Sequence, residues 1–158
     1  MLKAMHKNSG FSLMELMTII AIIAVLAAIA IPNLIGWRSG TQLRGAVENL
    51  RGDLQTAKFT AVRENGPVVA LFASDSYKVF IDNGANPGAL DAGERVIVNR
   101  PLPPGVSIDL GATDFNGNLY ARFNNRGLPE DTGNVVVDSS GGDQRIIGLN
   151  RLGRISIN

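Results

Sequence analysis

The sequence has no cysteine and only one histidine, His6. Without cysteine there is no disulfide to staple an exported domain, no thiolate nucleophile and no cysteine-based zinc site. A single imidazole near the start of the chain leaves little material for a histidine-based triad or metal centre. Net charge is equally scarce. Fifteen Lys and Arg against 14 Asp and Glu give +1, too small a balance to make a global case for nucleic-acid or anionic-membrane binding. Charge is also missing locally: none occurs from Leu16 to Trp37. The centre of that run, Ile19 to Ile31, is apolar on every face, unlike a soluble amphipathic helix.

What is present is therefore a membrane-length segment. At ~1.5 Å per residue, roughly 20 residues cross the ~30 Å hydrocarbon core. Lys3 and Lys7 precede the run, so a cytoplasmic leader and an extracytoplasmic remainder after Arg38 are expected, a type II topology. A secretory signal peptide has a shorter apolar core and a small-x-small cleavage site. Here Ile31 is followed by Pro32-Asn33-Leu34-Ile35-Gly36-Trp37. A plain signal anchor accounts for the run but leaves Glu15 unexplained. A carboxylate at the mouth of such a helix is costly unless partnered, and the neighbouring sequence offers no partner.

Gly10-Phe11-Ser12-Leu13-Met14-Glu15 followed by the apolar helix resembles the class III signal of type IV pilins and type II secretion pseudopilins, over roughly residues 1–40. The resemblance implies cleavage between Gly10 and Phe11 by a prepilin peptidase on the cytoplasmic face, and N-methylation of the new Phe11 amine. It also gives Glu15 a partner, the N-terminal ammonium of a neighbouring Phe11 in a growing filament. Opposite charges attract strongly in a low-dielectric bundle, whereas an unpaired one costs several kcal/mol or is protonated, so Glu15 would set register between subunits. The implied partners are other pseudopilins or pilins, the peptidase/methylase and an inner-membrane assembly platform. His6, Lys3 and Lys7 would leave with the leader.

These readings divide the chain into a cleaved leader (1–10), a transmembrane and assembly helix (11–37), an amphipathic helix (38–66) and a periplasmic β-rich domain (67–158). Leu43, Val47, Leu50, Leu54, Ala57 and Ala61 alternate at spacings of four and three, which draws one apolar stripe along a helix. Arg44 and Glu48, one turn apart, are expected to pair. A coiled coil is the competing reading of the stripe, which is short and interrupted by Gly45 and Gly52. Asn65-Gly66-Pro67 is a stop signal. Pro32 and Gly36 mark an expected break where the helix leaves the bilayer, the alternative being a plain interfacial kink anchored by Trp37 and Arg38.

Beyond Pro67, β-rich runs are expected at Val68 to Ala73, Tyr77 to Asp82, Arg95 to Asn99, Val106 to Leu110, Leu119 to Phe123, Val135 to Asp138, Arg145 to Leu149 and Arg154 to Ile157, separated by Gly, Pro and Asn clusters. The fold class that follows is α+β, a long N-terminal helix packed on antiparallel β-sheets. The helix Gln42 to Asn65, the first strand pair, the loop Asp82 to Glu94 and the closing Arg145-Ile146-Ile147 to Gly153-Arg154-Ile155 are similar to the GspH/FimT family of minor pseudopilins and minor pilins. That resemblance implies a pilin-like, two-sheet β domain and a place at or near a filament tip.

Other constellations are weaker. The loop Asp82 to Glu94 carries carboxylates and amides suited to calcium but misses the EF-hand register, so it reads as a solvated loop, with no metal site assigned. Arg145, Arg151 and Arg154 are the DNA-binding candidates, because Gly153-Arg154 resembles the start of a Gly-Arg-x-Arg pattern linked to DNA binding in some FimT-type minor pilins. The fourth position here is Ser156, and ordinary edge-strand charge is the competing reading. Glu130-Asp131 reads as a solvated turn. No cofactor and no catalysis are expected. The resemblance implies a minor pseudopilin of a type II secretion system, single-pass in a bacterial inner membrane and serving protein export. The runner-up is a minor pilin of a type IV pilus, with DNA uptake as a possible role, and a third reading is a signal-anchored adhesin that never polymerises.

Overall fold

The computed structural model describes residues 11–158, apart from the side chains at positions 32, 33 and 35. The expected leader, with Gly10, lies outside the described residues. One helix, α1, spans Leu13–Arg63. The chain divides into two compact units between Trp37 and Arg38, a boundary that falls within α1.

In the first part, Leu13 to Trp37, the described large apolar side chains are all exposed, Met14, Ile20, Ile29 and Trp37 among them. Hydrogen-bonded helix is assigned without a gap across positions 32 and 36. The segment is long and apolar enough to cross a membrane.

In the second part the expected stripe is the inner face. Leu43, Val47, Leu50, Leu54, Ala57 and Ala61 are all buried, and they share one core cluster with side chains from six of the eight strands behind them, while partly buried side chains of the other two pack against it. Those strands are β1 (Val68–Phe72), β2 (Ser76–Ile81), β3 (Val96–Pro101), β4 (Val106–Ile108), β5 (Tyr120–Phe123), β6 (Gly133–Ser139), β7 (Gln144–Leu149) and β8 (Ile155–Ile157). They form two four-stranded antiparallel sheets, ordered β3-β2-β1-β5 and β4-β6-β7-β8. Burying the stripe against both sheets accounts for a helix that Gly45 and Gly52 would otherwise weaken.

The helix ends in a Schellman motif. Asn65 takes the left-handed conformation (φ 51°), Gly66 N donates to Ala61 O at 3.2 Å and Asn65 N donates to Val62 O at 3.3 Å. One expectation on the helix surface is corrected. Glu48 contacts Arg51 at 3.5 Å, three residues on, and makes no ion pair with Arg44 among the described residues. Lys58 is half-buried and donates to the Gly153 carbonyl at 3.2 Å, because the β7–β8 turn lies against the helix there.

Two carboxylates tie the layers together. Asp53, buried on α1, accepts from the Tyr77 hydroxyl on β2 at 2.6 Å and from Arg100 Nε on β3 at 2.7 Å. Burial, reinforced by the Asp53 carboxylate, pushes the Tyr77 phenol well above its ordinary range. Asp82 closes the other face of the first sheet. Val68, Ala70 and Phe72 belong to the core cluster, so strand alternation puts Val69 and its partner Phe80 on the opposite face, and both are fully buried. What covers that face includes the loop 82–94. Asp82 Oδ2 accepts from Arg122 Nε at 2.6 Å and from Gly88 N at 3.2 Å, and Gly88 (φ +83°) lies so close to the Tyr120 ring that a Cβ would collide with it.

Candidate assembly site

The first turn of α1 places Phe11, Ser12 and Glu15 at the helix start. Ser12 O accepts from Leu16 N at 3.2 Å, which makes Ser12 the N-cap and Glu15 the third helical residue, the spacing of a capping box. Both side chains are exposed. A carboxylate in the first turn gains about 0.3–1 kcal/mol from the helix dipole. Insertion of a charge at the middle of a membrane helix costs about 2.5–3.5 kcal/mol, so the helix end alone does not offset deep burial. An opposite charge brought by another molecule would. Around Glu15 the apolar side chains Leu13, Met14, Leu16 and Met17 are bare on all sides, a surface that lipid or neighbouring helices must cover.

The other expected site residues are dispersed. Arg145 stands on β7 opposite Val137 and lines a groove with Arg44, Val47, Glu48 and Ile157. Arg151 and Arg154 lie beyond the far end of the same strand. The extended strand from Arg145 to Leu149, about 13 Å, stands between Arg145 and the turn that carries Arg151 and Arg154, so the three cations do not form one patch. Of the carboxylates in the loop 82–94, Asp82 goes to Arg122 and the other two are spent within the loop. Asp91 accepts from Asn86 Nδ2 and N, both at 2.9 Å, which holds its carboxyl below the usual carboxylate range. Glu94 accepts from Gly84 N and Asp91 N, both at 2.8 Å. Among the described residues no three carboxylate or histidine side chains converge as a metal site would require.

Sequence reasoning missed Asp53, Asp82 and the capping spacing Ser12 to Glu15. Asp53 had a signal, since it sits one position from Leu54 on the edge of the stripe, where a charge must find a partner. Asp82 had none that is local, because Arg122 is 40 residues away.

A membrane-length helix with its acidic residue in the first turn, continuing as a stripe against two antiparallel sheets, defines a pilin-like subunit. The prokaryotic N-terminal methylation motif matches residues 5–31, and the profile of the type II transport protein GspH matches residues 46–153. The chain belongs to the GspH family. Comparison with curated proteins gave no significant match. The fold is similar to the crystal structure of the type IV minor pilin FimU of Pseudomonas aeruginosa strain PAO1 in space group P21, with TM-score 0.59 and 13% identity over 77% of this chain and 92% of that one. A second FimU crystal form, P65, gives TM-score 0.56 and 14% identity over 73% and 92%. Family and apolar helix together make this a single-pass, membrane-anchored protein of the pilin and pseudopilin class.

Proposed function

We propose that the chain is a minor pseudopilin of a type II secretion system, stored in the inner membrane with its N-terminus cytoplasmic and drawn by its helix into a short filament that serves protein export. The GspH match across the amphipathic helix and both sheets carries this reading. In it, a prepilin peptidase cuts between Gly10 and Phe11, the Phe11 amine is methylated, and Glu15 pairs with the Phe11 ammonium of the next subunit. Pro32 and Gly36 loosen the helix during packing, since proline removes a backbone donor and glycine adds freedom. The domain itself works as a structural subunit, without catalysis.

A second reading is a minor pilin of a type IV pilus, favoured by the FimU-like fold. DNA uptake through Arg151 and Arg154 would belong to it. Deleting the gene and assaying both export of a type II substrate and surface piliation separates the two. Loss of export by at least about tenfold, restored by the wild-type chain, is expected. Intact export with lost pili or lost DNA uptake would establish the second reading instead.

A further inference from the structure

Two turns of the domain are built alike. Asn124-Asn125-Arg126-Gly127-Leu128 and Asn150-Arg151-Leu152-Gly153-Arg154 each begin with an asparagine whose Oδ1 accepts two backbone N–H groups. In the first turn these are Arg126 N at 2.9 Å and Leu128 N at 3.1 Å. In the second they are Leu152 N at 3.0 Å and Arg154 N at 2.9 Å. Each turn then closes on a glycine at φ +71°, whose N–H donates back to the asparagine carbonyl, at 2.8 Å for Gly127 and 2.9 Å for Gly153.

The twin turns touch. A Cβ on Gly153 would lie 3.3 Å from Gly127 O and 3.0 Å from Lys58 Nζ, and one on Gly127 would lie 2.9 Å from Val62 Cγ2 and 3.1 Å from Lys58 Cγ. Both glycines are buried between the turns and the helix, so the tips are fixed by backbone geometry and not left to wander. The fixed tips hold an apolar side chain out to solvent. Leu152 is 80% exposed, and Phe59, on the helical ridge one turn before Val62, is 69% exposed. Arg126, Arg151 and Arg154, carried on the two touching turns, are exposed and make no ion pair among the described residues.

We propose that the twin turns are a docking surface for a second pilin-like subunit that presents an apolar patch to Leu152 and carboxylates to Arg126, Arg151 and Arg154. The inference rests on the filament reading above and names a contact of the globular domain, distinct from Glu15. Charge complementarity selects the partner's carboxylates. The apolar apex selects protein over duplex DNA: phosphates would satisfy the three arginines but leave Leu152 bare, whereas an exposed apolar side chain with arginines on the same pair of turns is the composition of a protein interface. Prepaid rigidity lowers the ordering cost of binding.

The test uses the full-length chain in its own cells, with a photoreactive residue at position 152 and, for reference, at Ala85 in the exposed loop. The expected adduct at 152 joins this chain to another chain bearing a processed, methylated N-terminus, at a yield well above that of Ala85. Arg126→Glu with Arg151→Glu lowers the yield about tenfold or more, since reversed charges now repel the partner's carboxylates, and leaves the unfolding temperature unchanged. Leu152→Asp is expected to do the same in a chain probed from position 126. A nuclease-sensitive adduct, a yield no higher than at Ala85, or a yield indifferent to both variants would overturn the docking surface. If the wild-type chain enters filaments while position 152 gives no adduct, only this surface fails. If the chain never enters filaments, the filament reading itself fails.

Discussion

Glu15→Ala is expected to be inserted in the membrane and cleaved at its normal rate, yet to fall by roughly a hundredfold in isolated filaments, a loss of about 3 kcal/mol in subunit association. Glu15 is the only charge between the leader and Arg38, and no group of its own chain binds its carboxylate among the described residues. Its helix-dipole benefit is confined to the first turn and is worth about 0.3–1 kcal/mol. Removing the carboxylate therefore costs the monomer little, and membrane levels should not change. Assembly differs, because there the carboxylate would meet a neighbouring ammonium in a low-dielectric bundle, and its loss leaves that ammonium buried and unpaired. Glu15→Gln, which keeps the size and drops the charge, should behave like alanine; Glu15→Asp should retain part of the incorporation. Quantitative blotting of filament and membrane fractions reads both. Normal incorporation of the alanine variant would remove Glu15 from the assembly mechanism.

The second large effect concerns stability. Asp82→Ala should destabilise the domain by about 3–5 kcal/mol, the range for breaking one side of a buried ion pair. The Asp82 side chain is 1% exposed and Arg122 is 22% exposed. Without the carboxylate, Gly88 N loses its acceptor and the loop 82–94 loses its pin over Val69 and Phe80. Arg122 keeps Glu130 at 2.8 Å, so it is not stranded altogether. That sets the controls. Asp82→Asn, which can still accept from Arg122, should cost less than alanine, about 1–2 kcal/mol. The double variant Asp82→Ala with Arg122→Ala should cost less than the sum of the singles, because the residues are in contact. Chemical denaturation with protease sensitivity of the loop as a second readout would show this, and additive singles would mean that the pair is not coupled.

Much of this protein was legible in its sequence, and the reasons are physical. The stripe from Leu43 to Ala61 could be read because a helix repeats its face every three or four residues. All eight strands could be located because each is a short β-rich run between turn residues. Their ends differ by a residue or two from expectation because pairing sets them: Ser76 belongs to β2 since it lies opposite Pro101 of β3. The strand order β3-β2-β1-β5 was not legible, because no local pattern tells β1 to take β5 as its second neighbour. The same limit hid the contacts of Asp82 with Arg122 and of Lys58 with Gly153, each between residues far apart in the chain. It also explains why Arg145, Arg151 and Arg154, near in sequence, read as one cluster: extended β7 carries the first away from the other two. The asparagines of the twin turns were visible as turn residues, but their likeness and contact were not.

The division of labour that results is simple. The N-terminal segment supplies a general means of joining a polymer, and the domain supplies a rigid body with its own surface. Mass spectrometry of the N-terminal peptide in isolated filaments tests this most directly. The expected result is a chain that begins at Phe11 and carries a methyl group on its amine. A chain found only in membranes, with the leader still attached through Gly10, would contradict it.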